Sequence, residues 1–164
     1  MMIKNFEVLN SKAVKQITKL LQQQWNYSGK LGSCFLQKEN DIFLVTKDID
    51  KIDLRELNVN SLGLYFGELL HGALRLSIEG SQMIGKKASK NIIELNDEQM
   101  RQWLKGEDIE LEGAENNNEI KNNSGGNYDG CVIIKHKNDF FGCGRIKEGK
   151  LLNFVPKARR VLTS

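Results

Sequence analysis

A chain of 164 residues, 40% hydrophobic and 27% charged, holds enough apolar material for one compact domain or two small ones packed together. No apolar run approaches the ~18 residues that cross a bilayer. Lys4, Glu7, Asn10 and Lys12 break up any secretory leader, so the expectation is a cytoplasmic protein with no membrane partner. A net charge of +3 is too small to identify a polyanion partner by itself.

In chain order, the first predicted element is a helix over residues 11–25, with Ser11 as N-cap and Val14, Ile17, Leu20, Leu21 and Trp25 recurring at helical spacing. A turn at Tyr27-Ser28-Gly29 leads to a strand at 33–37. Lys38-Glu39-Asn40-Asp41 turns the chain into a short buried strand at 42–45. Leu54 and Leu57 predict a brief helix. Residues 62–70 carry Gly63 and Gly67 inside an apolar stretch, the pattern of a strand with a bend or a close backbone approach. Residues 74–84 read as a short helix or a strand-to-helix passage ending near Gly85. The basic segment Lys86-Lys87-Ala88-Ser89-Lys90 then marks a boundary between two lobes, 1–85 and 90–164.

The second lobe opens with a strand at 91–95. Asn96 and Gln99 have capping-box spacing, Met100, Trp103 and Leu104 form an apolar stripe, and Gly106 stands at the helix end. A strand at 107–111 follows, then a polar Asn- and Gly-rich segment at 112–127 that reads as a mobile loop. Strands at 131–134, 140–146 and 151–155 are separated by turns at Lys137-Asn138-Asp139 and Lys147-Glu148-Gly149-Lys150. Two consecutive hairpins favour a small barrel or meander over a parallel sheet.

Cys34, Cys131 and Cys143 are widely spaced and form no Cys-x-x-Cys pair, and His71 and His136 stand far apart. The expectation is buried free thiols in a reducing compartment, with no metal and no cofactor. Charge is unevenly spread. Residues 94–119 carry nine acidic side chains against Arg101 and Lys105, whereas Lys135, Lys137, Arg145, Lys147, Lys150, Lys157, Arg159 and Arg160 face only Asp139 and Glu148 between 135 and 160. Such asymmetry fits either a polyanion-binding face or a solvated lysine-rich surface.

The order strand, capped helix ending in glycine, strand, loop and glycine-bearing hairpin (Phe141-Gly142-Cys143-Gly144-Arg145) resembles a PUA domain, an RNA-binding pseudo-barrel. The tail Gly149-Lys150-Leu151-Leu152-Asn153-Phe154-Val155-Pro156-Lys157-Ala158-Arg159-Arg160 is similar to the C-terminal signature of the Nol/Nop/Sun (Fmu-type) rRNA cytosine-5 methyltransferases. Arg145 stands where that family usually has lysine, and Cys143 replaces a commonly aromatic residue. The first lobe, through residues 62–68 and 74–85, resembles the pre-PUA domain. The implied fold class is α+β: a small α/β pre-PUA lobe followed by a PUA-like β-pseudobarrel.

The resemblance implies RNA binding through Arg101, Lys105, Gly106, Arg145, Asn153, Lys157, Arg159 and Arg160. Arginine forks grip phosphate in two-pronged fashion, lysine acts as a point charge, and glycine admits the sugar-phosphate chain. The parent enzymes hold a cysteine nucleophile after a proline, but the chain's one proline, Pro156, precedes Lys157, and no glycine-rich donor loop is present. The expectation is therefore a non-catalytic protein that binds structured rRNA or tRNA in RNA modification or ribosome biogenesis, with a separately encoded modification enzyme as a second partner. The alternative is an assembly adaptor that docks a protein on the apolar surface around Leu64 and Phe66.

Overall fold

The computed structural model describes residues 5–57, 59–111 and 130–162. The segment predicted as a loop at 112–127 lies outside the described residues. The fold is α+β, with three helices and two five-stranded sheets among the described residues.

In the first sheet β1 (Glu7–Val8), β2 (Cys34–Lys38), β3 (Asp41–Val45), β4 (Leu64–Leu70) and β5 (Ala73–Leu76) lie side by side in chain order, all antiparallel. Helix α1 (Ser11–Trp25) covers one face and buries Ile17, Leu21 and Trp25. Its N-cap is Asn10 rather than Ser11: the Asn10 side chain accepts from the Ala13 amide at 2.9 Å, and Ser11 is already helical. Helix α2 (Ile78–Gly85) follows β5 directly, capped by Ser77, so the strand-to-helix reading of residues 74–84 holds. Single 3₁₀ turns at Lys47–Lys51 and Leu54–Glu56 connect β3 to β4.

The second sheet is ordered β6 (Ile92–Glu94), β8 (Cys131–His136), β9 (Asp139–Lys147), β10 (Lys150–Asn153) and β7 (Ile109–Glu110). The two expected hairpins join β8 to β9 and β9 to β10. The sheet is nonetheless mixed, because β6 pairs parallel with β8, Ile92 opposite Ile133. Helix α3 (Asp97–Leu104) carries the chain from one edge strand to the other. It thereby closes the curled sheet over its own apolar stripe, with Met100 and Trp103 buried.

The run Cys131-Val132-Ile133-Ile134 is apolar without alternation because β8 is covered on both sides. Val132 and Ile134 join Trp103, Met100, Ile93 and Leu151 inside the second lobe. Ile133 instead joins Trp25, Phe35, Phe66 and Ile84 of the first lobe, together with Phe140 and Cys143. The lobes thus share one core. Their approach is close: any side chain on Gly85 would run into the Phe140 ring. Phe66 is fully buried in this core, so the adaptor surface expected around Leu64 and Phe66 loses its larger member. Leu64 is exposed, but Phe66 is structural.

None of the three cysteines is in a disulfide. Cys143 is buried, and Cys34 and Cys131 are half-buried, which corrects the expectation of three buried thiols. Burial pushes the Cys143 thiol well above its ordinary range and raises Cys131 too. Alkylation at neutral pH followed by peptide mass mapping should label Cys143 only after denaturation. Labelling in the native protein at the rate of Cys34 would show that the shared core opens readily.

Candidate functional site

Helix α3 organises the region that holds most of the expected site residues. At its N-terminus the capping box is complete: Asn96 accepts from the Gln99 amide at 2.9 Å, and the Asn96 amide donates to Gln99 Oε1 at 3.0 Å. Asp97 and Glu98 lie in the first turn, where the helix dipole favours acids. Asp97 reaches His136 Nε2 at 3.1 Å and Lys137 at 3.6 Å. Arg101 and Lys105 sit one turn apart toward the other end. Lys105 is thereby eight residues, ~12 Å along the axis, from Asp97, whereas Arg101 is only one turn from Asp97 and Glu98.

At its C-terminus α3 runs into Gly106, whose φ of 86° places it in the left-handed region. The carbonyls freed there are taken up by the tail. Asn153 Nδ2 donates to Trp103 O at 2.8 Å and to Glu107 O at 3.0 Å, while the Val161 amide donates to Leu104 O at 2.9 Å. The Arg160 side chain lies across Gly106 in the space a Cβ would need, and its Nε donates to Val155 O at 3.0 Å. Exposed Lys157 begins the 3₁₀ turn Lys157–Arg159, three residues before Arg160.

The structure brings Lys105, Gly106, Asn153 and Arg160 together at this corner, with Lys157 one 3₁₀ turn before Arg160 and Arg101 one turn before Lys105 on α3. Asn153 differs from the rest: its amide nitrogen is spent on two carbonyls and its oxygen accepts from the Val155 amide at 2.8 Å. It builds the corner rather than projecting from it. Arg159 turns toward the first lobe and pairs with Glu79 of α2 at 2.7 Å.

Arg145 is not part of the corner. It stands opposite Cys131 on one side and Leu152 on the other, so these three side chains share the sheet face that meets the first lobe. Val132, Gly144 and Asn153 occupy the opposite face. The charges of Arg75 and Arg145 both reach Cys131. Near them the Arg75 guanidinium stacks on Phe154, 4.5 Å from its centroid, beside a cavity of about 140 Å³ bordered by Tyr65, Phe141 and Arg159. Sequence reasoning missed this groove, because its aromatic and basic residues come from three separate segments. Phe140 is buried, whereas Phe141 and Phe154 are half-buried at the groove. No group of His, Cys, Asp and Glu able to hold a metal occurs among the described residues.

Residues 90–161 match the family described as "Methyltransferase RsmF PUA domain", so this part of the chain is PUA-like. The chain is also 23% identical over 120 residues to proteins named ribosomal RNA small subunit methyltransferase F, from two Vibrio cholerae serotype O1 strains, M66-2 and ATCC 39315. The aligned region is 73% of this chain but 23% of those relatives. At 120 residues it is longer than the second lobe, so it reaches into the first.

Proposed function

We propose that this chain binds structured RNA, rRNA or tRNA, through the corner formed by α3, Gly106 and the C-terminal tail, and that it acts in RNA modification or ribosome biogenesis without catalysing a reaction. The observation that carries this reading is the PUA match over residues 90–161, within which Lys105 and Arg160 meet at the end of α3, the Arg160 guanidinium lying over Gly106, with Arg101 and Lys157 one turn away on either side. The end of α3 at this corner is its carbonyl end, which repels phosphate, so side-chain cations must supply the grip.

In this reading residues 90–164 form the RNA-binding unit, and residues 1–85 form a pre-PUA support that offers a surface to a separately encoded modification enzyme in the cytoplasm. The name of the relatives makes small-subunit rRNA the first RNA to test.

The test is fluorescence anisotropy with a labelled small-subunit rRNA fragment over a salt series. Lys105→Ala combined with Lys157→Ala should lower the slope of log K against log salt by roughly 1.4–1.8, about 0.7–0.9 for each phosphate no longer neutralised. Arg145→Ala, on the opposite sheet face, should leave the slope unchanged. A double variant with the wild-type slope and affinity would sink the corner as the interface.

A further inference from the structure

We propose that the first lobe carries a second RNA-binding face, a lysine track that runs along α1 into the cleft between the lobes and grips sugar-phosphate backbone without reading sequence. Two stretches of the chain are free of acidic residues. Residues 8–37 contain Lys12, Lys15, Lys19 and Lys30, and residues 80–93 contain Lys86, Lys87 and Lys90; neither has an Asp or Glu. Nothing in the sequence requires them to meet, but the fold joins them at the C-terminal end of α1. The Ser89 amide donates to Trp25 O at 3.0 Å, Asn26 Nδ2 donates to Ser89 Oγ at 2.8 Å, and Lys90 Nζ donates to Gln23 O at 3.1 Å.

The helix itself orders the charges. Positions 12, 15, 19, 23 and 26 are spaced by three, four, four and three residues, which places Lys12, Lys15, Lys19, Gln23 and Asn26 on one stripe about 21 Å long. The stripe ends at Ser89 and Lys90, where a polar cleft of about 720 Å³ opens, bordered by Lys86, Lys90 and Asn138 and by the ion pair of Lys135 with Glu94 at 4.0 Å. Lys12, Lys15, Lys19, Lys86, Lys87 and Lys90 are in no ion pair among the described residues. Lys51, Arg55, Arg75, Lys135, Lys137, Lys150 and Arg159, by contrast, each have an acidic partner. Lysines left unneutralised along a line suit a linear polyanion, whose condensed counterions they displace.

The occupant is RNA rather than an anionic membrane. A helix that lies on lipid must offer an apolar face to it, and the apolar face of α1, with Ile17, Leu21 and Trp25, is already buried in the protein core. The track sits at the other end of α3 from Gly106: Asn138 belongs to the β8–β9 turn beside Asp97, whereas Arg160 and Lys157 flank the helix's far end. One chain can thus hold two separate stretches of RNA, the corner at Gly106 taking one and the lysine track the other. The identification of the polyanion as RNA rests on the PUA reading above, but the track uses none of the same residues.

The experiment compares three full-length proteins: wild type, the triple variant Lys12→Ala, Lys15→Ala, Lys19→Ala, and the corner variant Lys105→Ala, Lys157→Ala. Each is titrated with two fluorescent RNA hairpins of equal length and unrelated stem sequence, over a salt series. The triple variant should bind both hairpins more weakly by the same factor, with a slope of log K against log salt smaller by roughly 2–3. Its melting temperature should not fall, since alanine is the better helix former at an exposed position. An unchanged affinity and slope in the triple variant, with weaker binding in the corner variant, overturns the track and leaves the corner standing. Weaker binding in the triple variant alone supports the track and removes the corner. Phosphatidylserine vesicles form a further arm: vesicle binding that depends on these lysines while hairpin binding does not would overturn RNA as the occupant.

Discussion

Replacing Trp103 by alanine should destabilise the protein by about 3–5 kcal/mol, a large part of the ~5–15 kcal/mol that holds a domain of this size. Trp103 is fully buried and lies in the cluster formed by Ile93, Met100, Val132, Ile134 and Leu151. It meets β9 where Gly144 has no side chain: a Cβ built at Gly144 would come 2.9 Å from Trp103 Cη2. A cavity at this point adjoins a glycine, so no neighbouring side chain can swing in from that position to fill it. The indole nitrogen also donates to Phe141 O at 3.2 Å, and alanine leaves that carbonyl without this donor. Trp103→Phe should keep most of the volume, lose the bond and cost about 1–3 kcal/mol.

The shared core gives this variant a second readout. With Trp103 removed, Trp25 is the only remaining tryptophan, and it sits in the first-lobe core with Ile133, Phe140 and Cys143. Denaturant unfolding followed by Trp25 fluorescence and by far-ultraviolet dichroism should give coincident transitions. Separate transitions would mean that the lobes fold independently, and a destabilisation under about 1 kcal/mol would mean that the site collapses around the alanine.

Local features were legible in the sequence and long-range ones were not. Asn96 and Gln99 announce the start of α3 because a capping box is closed within four residues. The β9–β10 hairpin follows from Glu148-Gly149, which take φ of 51° and 76°, as a two-residue turn between strands requires. By contrast, the parallel pairing of Ile92 with Ile133 joins segments far apart in the chain, and no local pattern records it. The site divides along the same line. Gly106 is assignable from its place after a helix. The separation of Arg145 from Asn153 depends on strand register, since Arg145 opposite Leu152 and Gly144 opposite Asn153 point to opposite faces. The resemblance groups these residues by sequence position, and the pleat of the sheet sorts them into a corner residue and one that meets the first lobe.

Asn153 is where structure and RNA binding are most easily confused, and a pair of substitutions separates them. Its side chain ties Trp103 O, Glu107 O and the Val155 amide together, and its own amide donates to Asp108 Oδ1 at 2.8 Å. Asn153→Ala removes three side-chain bonds around the end of α3 and should destabilise by about 2–4 kcal/mol. Asn153→Asp should be worse at neutral pH, although the two side chains have the same shape. A carboxylate cannot donate to the two carbonyls it would face, and it would stand close to Asp108. Those surroundings favour the protonated acid, so the aspartate would carry a raised pKa in the folded state. Its proton-linked stability is present at low pH and is lost as pH rises, so the deficit of Asn153→Asp relative to wild type should shrink between about pH 7 and pH 5, whereas that of Asn153→Ala should stay constant. Denaturant melts at the two pH values measure this directly. If Asn153 instead served chiefly as an RNA ligand, both variants would keep wild-type stability and lose affinity for the rRNA fragment, and the corner would then have to be held by Val161 and Arg160 alone.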